Sequence, residues 1–161
     1  MKISVVIACV FLCFVDVQMS KQANKYPDFE CYGKRITEII EKSENKLKLV
    51  CDEDDPTELE ECEEQWTGME IWSTITFKCP DGLFLSGMRL PYYKEHKDLV
   101  VKPLCCKIKN EVVRRCRYLE KTAKKSRIIP TGRVMNGFQT EYNHKTKKRS
   151  WKWSTCARDK K

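Results

Sequence analysis

The chain has 161 residues, with 31 Lys and Arg against 23 Asp and Glu, a net charge of +8 and ten cysteines. A mean hydropathy of −0.58 excludes a multi-span membrane protein. Four Trp, six Tyr and six Phe exclude a disordered tail, and the length suits one domain.

Met1-Lys2 opens a thirteen-residue apolar run, Ile3 to Val15. A membrane-spanning helix needs about 20 such residues, so residues 1–20 read as a secretory signal peptide, with cleavage near Ser20. An N-terminal anchor is the competing reading. The mature domain is then 21–161.

Over 35–49, Ile36, Ile39, Ile40 and Leu47 approach a 3.6-residue spacing, which allows a short helix. Cys31 and Cys51 suit a hairpin over the same stretch equally well. Cys51 to Glu64 then concentrates nine carboxylates. Two segments further on align without a gap at an offset of fifty residues, Pro80–Cys106 above Pro130–Cys156. Pro80, Gly82, Gly87 and Tyr92 match Pro130, Gly132, Gly137 and Tyr142. Lys97, Lys102 and Cys106 match Lys147, Lys152 and Cys156. Each segment opens on Pro-x-Gly, a turn signal, then carries an apolar run, a charged tip and a second run ending in Cys. In Ser150–Ser154 apolar and polar residues alternate, as a half-buried strand requires. A weaker upstream copy is marked by Phe29-x-Cys31-x-Gly33. The expected fold is mostly β, with about three repeats over 29–62 (degenerate), 77–116 and 128–156.

Without Cys9 and Cys13, eight cysteines remain, an even number that reads as a disulfide framework of an oxidising compartment. No metal is expected, because no CxxC or Cys/His pair has ligand spacing. The repeat suggests Cys79–Cys106, which bracket one unit. Ile129 stands at the Cys79 position of the last unit, so Cys156 is assigned to Cys116. Cys31–Cys51 follows, leaving Cys62–Cys105.

Glu61-Cys62-Glu63-Glu64 with Trp66, then Cys79, Gly82-Leu83, Gly87-Met88, Tyr92, Cys105-Cys106 and Cys116, resembles the dermatopontin family. Lys148-Arg149-Ser150-Trp151-Lys152-Trp153-x-x-Cys156 is similar to that family's hexapeptide, Asp-Arg-x-Trp followed by a polar and an aromatic residue. Arg149, Trp151, Lys152 and Trp153 match, and Lys148 replaces the Asp. In the preceding unit Asp98 and Lys102 fit, while Leu99, Val101 and Pro103 replace the Arg and aromatic positions. The resemblance covers about 29–156. It implies a secreted matrix or adhesion protein without enzymatic activity or cofactor. Collagen fibril organisation, proteoglycan binding and cell adhesion are the implied roles, and agglutination by lectin-like relatives is the alternative, in a defence or toxin-like role.

Charge bears on the same question independently. Residues 102–161 hold nineteen Lys and Arg against four Asp and Glu, about +15, which leaves −7 for the preceding residues. Such asymmetry points to a polyanion partner, and outside the cell the abundant polyanions are sulfated glycosaminoglycans rather than nucleic acid. Lys121, Lys124, Lys125 and Arg127, with Lys145, Lys147, Lys148, Arg149 and Lys152, are the candidate contacts. Against this stands a solvated basic face covered in part by the acidic run. Trp151 and Trp153 share one face of a strand and read as core. No Gly-x-Ser-x-Gly, His-Glu-x-x-His or phosphate loop occurs, so a secreted enzyme is the least supported reading. The expected protein is secreted, does not insert into membranes, and binds glycosaminoglycans, matrix proteins such as collagen, or cell-surface glycans.

Overall fold

A computed structural model describes residues 29–161 apart from Gly33, 55–57, Met69, 121–124 and the side chain of Glu44. The expected signal segment lies outside the described residues. The chain is mostly β: twelve strands and one 3-10 turn are described.

Three hairpins form the frame. The first joins β1 (Ile36–Glu41) to β2 (Leu47–Cys51) through the 3-10 turn Ser43–Asn45. The second joins β5 (Phe84–Arg89) to β8 (Lys102–Ile108), with β6 (Tyr92–Tyr93) and β7 (Asp98–Leu99) paired at its tip. The third joins β11 (Arg133–Asn143) to β12 (Lys148–Lys160). The remaining strands are β3 (Leu59–Glu64), β4 (Ile75–Lys78), β9 (Glu111–Tyr118) and β10 (Ser126–Ile128).

The hairpins share one register. Ile36 pairs with Cys51, Leu85 with Cys105 and Met135 with Thr155. A one-residue bulge follows in each, after which Ile39 pairs with Leu49, Met88 with Pro103 and Phe138 with Trp153. The same i to i+3 turn precedes each hairpin, closed by Lys34 N to Cys31 O, Leu83 N to Pro80 O and Arg133 N to Pro130 O at 3.0–3.1 Å. Gly82 and Gly132 take positive φ there, at +82° and +73°, where a side chain would strain the turn.

The bulge explains why 35–49 imitates a helix. One extra residue shifts the pleat by one step, so Ile36 and Ile39, three apart, both face inward and are buried. Residues 35–49 therefore form the hairpin and no α-helix. Ile36 and Ile39 meet Leu85, Met88, Met135, Phe138 and Trp153 in the main core.

Each hairpin also takes the segment leading into another. Strand β1 pairs with β10, which leads into the third hairpin. Met88 of β5 pairs with Glu30, which leads into the first, and β11 pairs with β4, which leads into the second. The exchange closes into a ring, so the hairpins form one body. We read them as copies of one unit.

Two of the expected disulfides, Cys79–Cys106 and Cys62–Cys105, are corrected. The bridges are Cys31–Cys51, Cys79–Cys105, Cys62–Cys106 and Cys116–Cys156. Adjacent residues of a strand point to opposite faces, so Cys105 and Cys106 cannot share a side. Cys105 joins Cys79 in the main core, whereas Cys106 faces a second cluster containing Phe84, Val134 and Cys156. Cys62 lies on β3 directly opposite Cys106. Pairing Cys106 with Cys79 would require the Cys106 side chain to cross the pleat to the face that Cys105 occupies.

Candidate polyanion-binding surface

The charged tip of the third hairpin is built by Asn143, whose Oδ1 accepts from the backbone N–H groups of Lys145 and Thr146 at 2.9 and 3.0 Å. Lys147 follows with φ +56° and donates its N–H to Asn143 O, closing the turn. Lys145, Lys147 and Lys148 are exposed on this tip. Along β12 the pleat then sends Lys148, Ser150 and Lys152 outward and Arg149, Trp151 and Trp153 inward. Glu141 stands on the neighbouring strand opposite Ser150.

Arg149 is the exception among the candidate cations. Its side chain is fully buried and forms a two-pronged ion pair with Asp98, equally buried, with both N to O distances 2.7 Å. Its Nη1 donates to Ser73 O at 2.8 Å, and the guanidinium lies over the Tyr142 ring. It is therefore a bridge between tips and no contact for an external polyanion. Burial is the physical reason: the inward step of β12 carries it under the second hairpin.

The remaining candidates divide. Lys125 is exposed just before β10. Arg127 is largely buried, 3.9 Å from Glu41, and so is partly neutralised. Burial raises the Glu41 pKa above the ordinary carboxylate range, an effect that the Arg127 charge only partly offsets. Lys121 and Lys124 lie outside the described residues. Trp151 and Trp153 stack in parallel at 5.0 Å inside the core.

The acidic run sits largely on ion pairs of its own. Glu58 meets Lys109 at 2.6 Å, Glu60 meets Lys107 at 3.1 Å, and Glu64 meets Arg89 at 3.0 Å. The ammonium groups draw Glu58 below its ordinary pKa, and the carboxylates raise Lys107 and Lys109. Asp159 likewise pairs with Arg114 and Arg115 and is drawn down by them. These pairs lie on or beside β3, β5, β8, β9 and the end of β12, and none of them involves a lysine of the third tip. The partial-cover reading thus holds for Lys107 and Lys109 but not for the tip.

Sequence reasoning missed three residues of the first hairpin. Asn45 ties all three tips together: its Nδ2 donates to Lys97 O and Lys147 O at 2.9 and 3.0 Å, and its Oδ1 accepts from Arg149 N at 2.7 Å. Lys42 and Lys46 are exposed beside it and, with Lys125 and Lys148, border a cavity of 290 Å³. No local pattern signals these contacts, because the partners lie about 50 to 100 residues apart in the chain.

A family model for dermatopontin matches residues 22–160. The chain belongs to the dermatopontin family. No curated protein and no solved structure matches significantly. The family is one of extracellular, non-enzymatic matrix proteins, and the four disulfides fit such a setting. Among the described residues no helix is long and apolar enough to cross a membrane, and no cluster of His, Cys, Asp or Glu is arranged to hold a metal ion.

Proposed function

We propose that this dermatopontin-family chain is a secreted, non-catalytic matrix protein that binds sulfated glycosaminoglycans through the third hairpin. The observation that carries the reading is the exposure of Lys145, Lys147, Lys148 and Lys152 along one tip and one strand face. None of these four joins an ion pair among the described residues. A sulfated chain laid along them would release condensed counterions, giving salt-sensitive binding. Matrix proteins such as collagen would be held through the same glycan or beside it.

The test is elution from immobilised heparin as salt is raised, with a Lys145, Lys147, Lys148 and Lys152→Ser variant for comparison. Arg149 is left intact because it holds the fold. Wild type should elute well above physiological salt, about 0.15 M, and the variant should elute earlier with a shallower salt dependence. Elution of both proteins at or below that salt would overturn the proposal.

A lectin-like agglutinin is the second reading, favoured by Trp66, which is 74% exposed, and Trp72, which is 42% exposed. Exposed aromatic faces stack on sugar rings without needing charge. Agglutination of erythrocytes blocked by neutral sugars but not by salt would select it.

A further inference from the structure

The cavity between the first and third tips combines features that an open charged strand lacks. Its volume is 290 Å³, and Lys42, Lys46, Lys125 and Lys148 contribute to its lining. Leu47 and Trp151, both buried, line it with apolar surface, and Ser43 adds a hydroxyl. The lysines are held in place by backbone geometry. Lys42 N–H donates to Lys46 O at 2.7 Å across the 3-10 turn, and Glu41 N–H donates to Lys125 O at 2.8 Å. Lys46 Nζ also lies 4.7 Å from the Tyr92 ring centroid.

Charge and size limit what can sit there. Glu41 is the described carboxylate at the wall, and Arg127 faces it at 3.9 Å, so Lys42, Lys125 and Lys148 leave the cavity positive. The volume lies near the lower end of small-ligand sites, roughly 300–1,000 Å³, which fits one sugar ring rather than several. An apolar floor under a cationic rim suits a ring with C–H faces and anionic substituents. Asn45 contributes little to a ligand, since its amide is already committed to the three tips.

We propose that this cavity seats a single sulfated sugar ring of a glycosaminoglycan, with Lys42, Lys125 and Lys148 contacting its sulfate and carboxylate groups. The proposal rests on the glycosaminoglycan reading above and deepens it, because Lys148 belongs to both the cavity and the exposed tip. The remainder of the chain would pass over Lys145 and Lys147, and the cavity would read one residue of it.

The probe is a fully sulfated heparin disaccharide, titrated calorimetrically beside its desulfated counterpart. The expected result is measurable binding of the sulfated form, at least tenfold tighter than the desulfated one. Lys42→Ser with Lys125→Ser should weaken it by roughly tenfold or more, while Lys145→Ser with Lys147→Ser changes it less than threefold. Near-UV circular dichroism checks that each variant is folded, and Lys42→Arg with Lys125→Arg should retain binding and so separate charge from fold. Failure of the disaccharide to bind while heparin still retains the protein would overturn the cavity and leave the proposed function standing. A larger loss in the Lys145/Lys147 variant than in the Lys42/Lys125 variant would also overturn it. If neither disaccharide nor heparin binds, both proposals fall together.

Discussion

Asp98→Asn should be among the most destabilising single substitutions in this chain. The amide keeps the volume of the carboxylate but removes its charge, and Arg149 has no route to water because its side chain is fully buried. Three bonds weaken at once: two from the Arg149 guanidinium and one from Trp72 N–H to Asp98 Oδ2 at 2.8 Å. Breaking a buried ion pair from one side costs roughly 3–5 kcal/mol. For a domain of this size that corresponds to a fall in Tm of about 10–20 °C. Urea unfolding of the disulfide-intact protein measures it directly. The double change Asp98→Leu with Arg149→Met removes both charges and should cost less than Asp98→Asn alone, because no uncompensated charge stays inside. A loss below about 1 kcal/mol for Asp98→Asn would refute the view that the pair locks the tips.

Other perturbations probe other parts of the molecule. Gly137→Ala would drive a Cβ into Phe77 O and to within 2.8 Å of Lys78 Cα, forcing β4 off β11. It should cost more than about 2 kcal/mol in urea unfolding, against about 1 kcal/mol for Gly82→Ala, where only the positive φ is strained. Cys62→Ser with Cys106→Ser should leave three bridges and no free thiol. Cys62→Ser with Cys105→Ser strands Cys79 and Cys106 on opposite faces and should titrate two thiols. Asp52, Glu58 and Asp159 are drawn below their ordinary pKa by Arg35, Lys109 and Arg114, so their stabilisation is present at neutral pH and is lost as pH falls through their folded values. Glu41 has the opposite sign, since burial raises it and its ionisation opposes folding as pH rises. Glu41→Gln should therefore stabilise the protein at pH 7 and give no gain at low pH, a difference that urea titrations at the two pH values would show.

The β frame was legible where local chemistry acts alone. Pro80-x-Gly82 and Pro130-x-Gly132 mark turns because their backbone limits are intrinsic, and Ser150–Ser154 alternates because one face of β12 is buried. Strands β3 and β9 gave no such signal. LEECEE and EVVRRCRY are largely exposed, so no apolar alternation is required of them, and their pairing is imposed by β8 and β12. The bulge after Ile36 placed inward residues three apart and so imitated a helix. The exchange of lead-in strands was illegible for a further reason: it depends on closure of the ring, a property of three hairpins together.

Arg149 shows how a charge can mislead and which observation corrects it. Within a run of lysines it counted as one more surface cation, although the hexapeptide comparison already contained its partner. The second hairpin keeps the Asp of the motif and has lost the Arg; the third keeps the Arg and has lost the Asp. Taken separately, each motif is half decayed. Asp98 and Arg149 nevertheless close a single bidentate pair across the two tips, so the surviving halves are complementary. At the first tip Asn45 takes up the backbone groups of Lys97, Lys147 and Arg149 with a neutral amide. The ring of tips therefore needs one buried ion pair and one amide. That economy leaves Lys145, Lys147 and Lys148 outside the lock, where their ammonium groups remain exposed to solvent while the backbone beneath them is fixed.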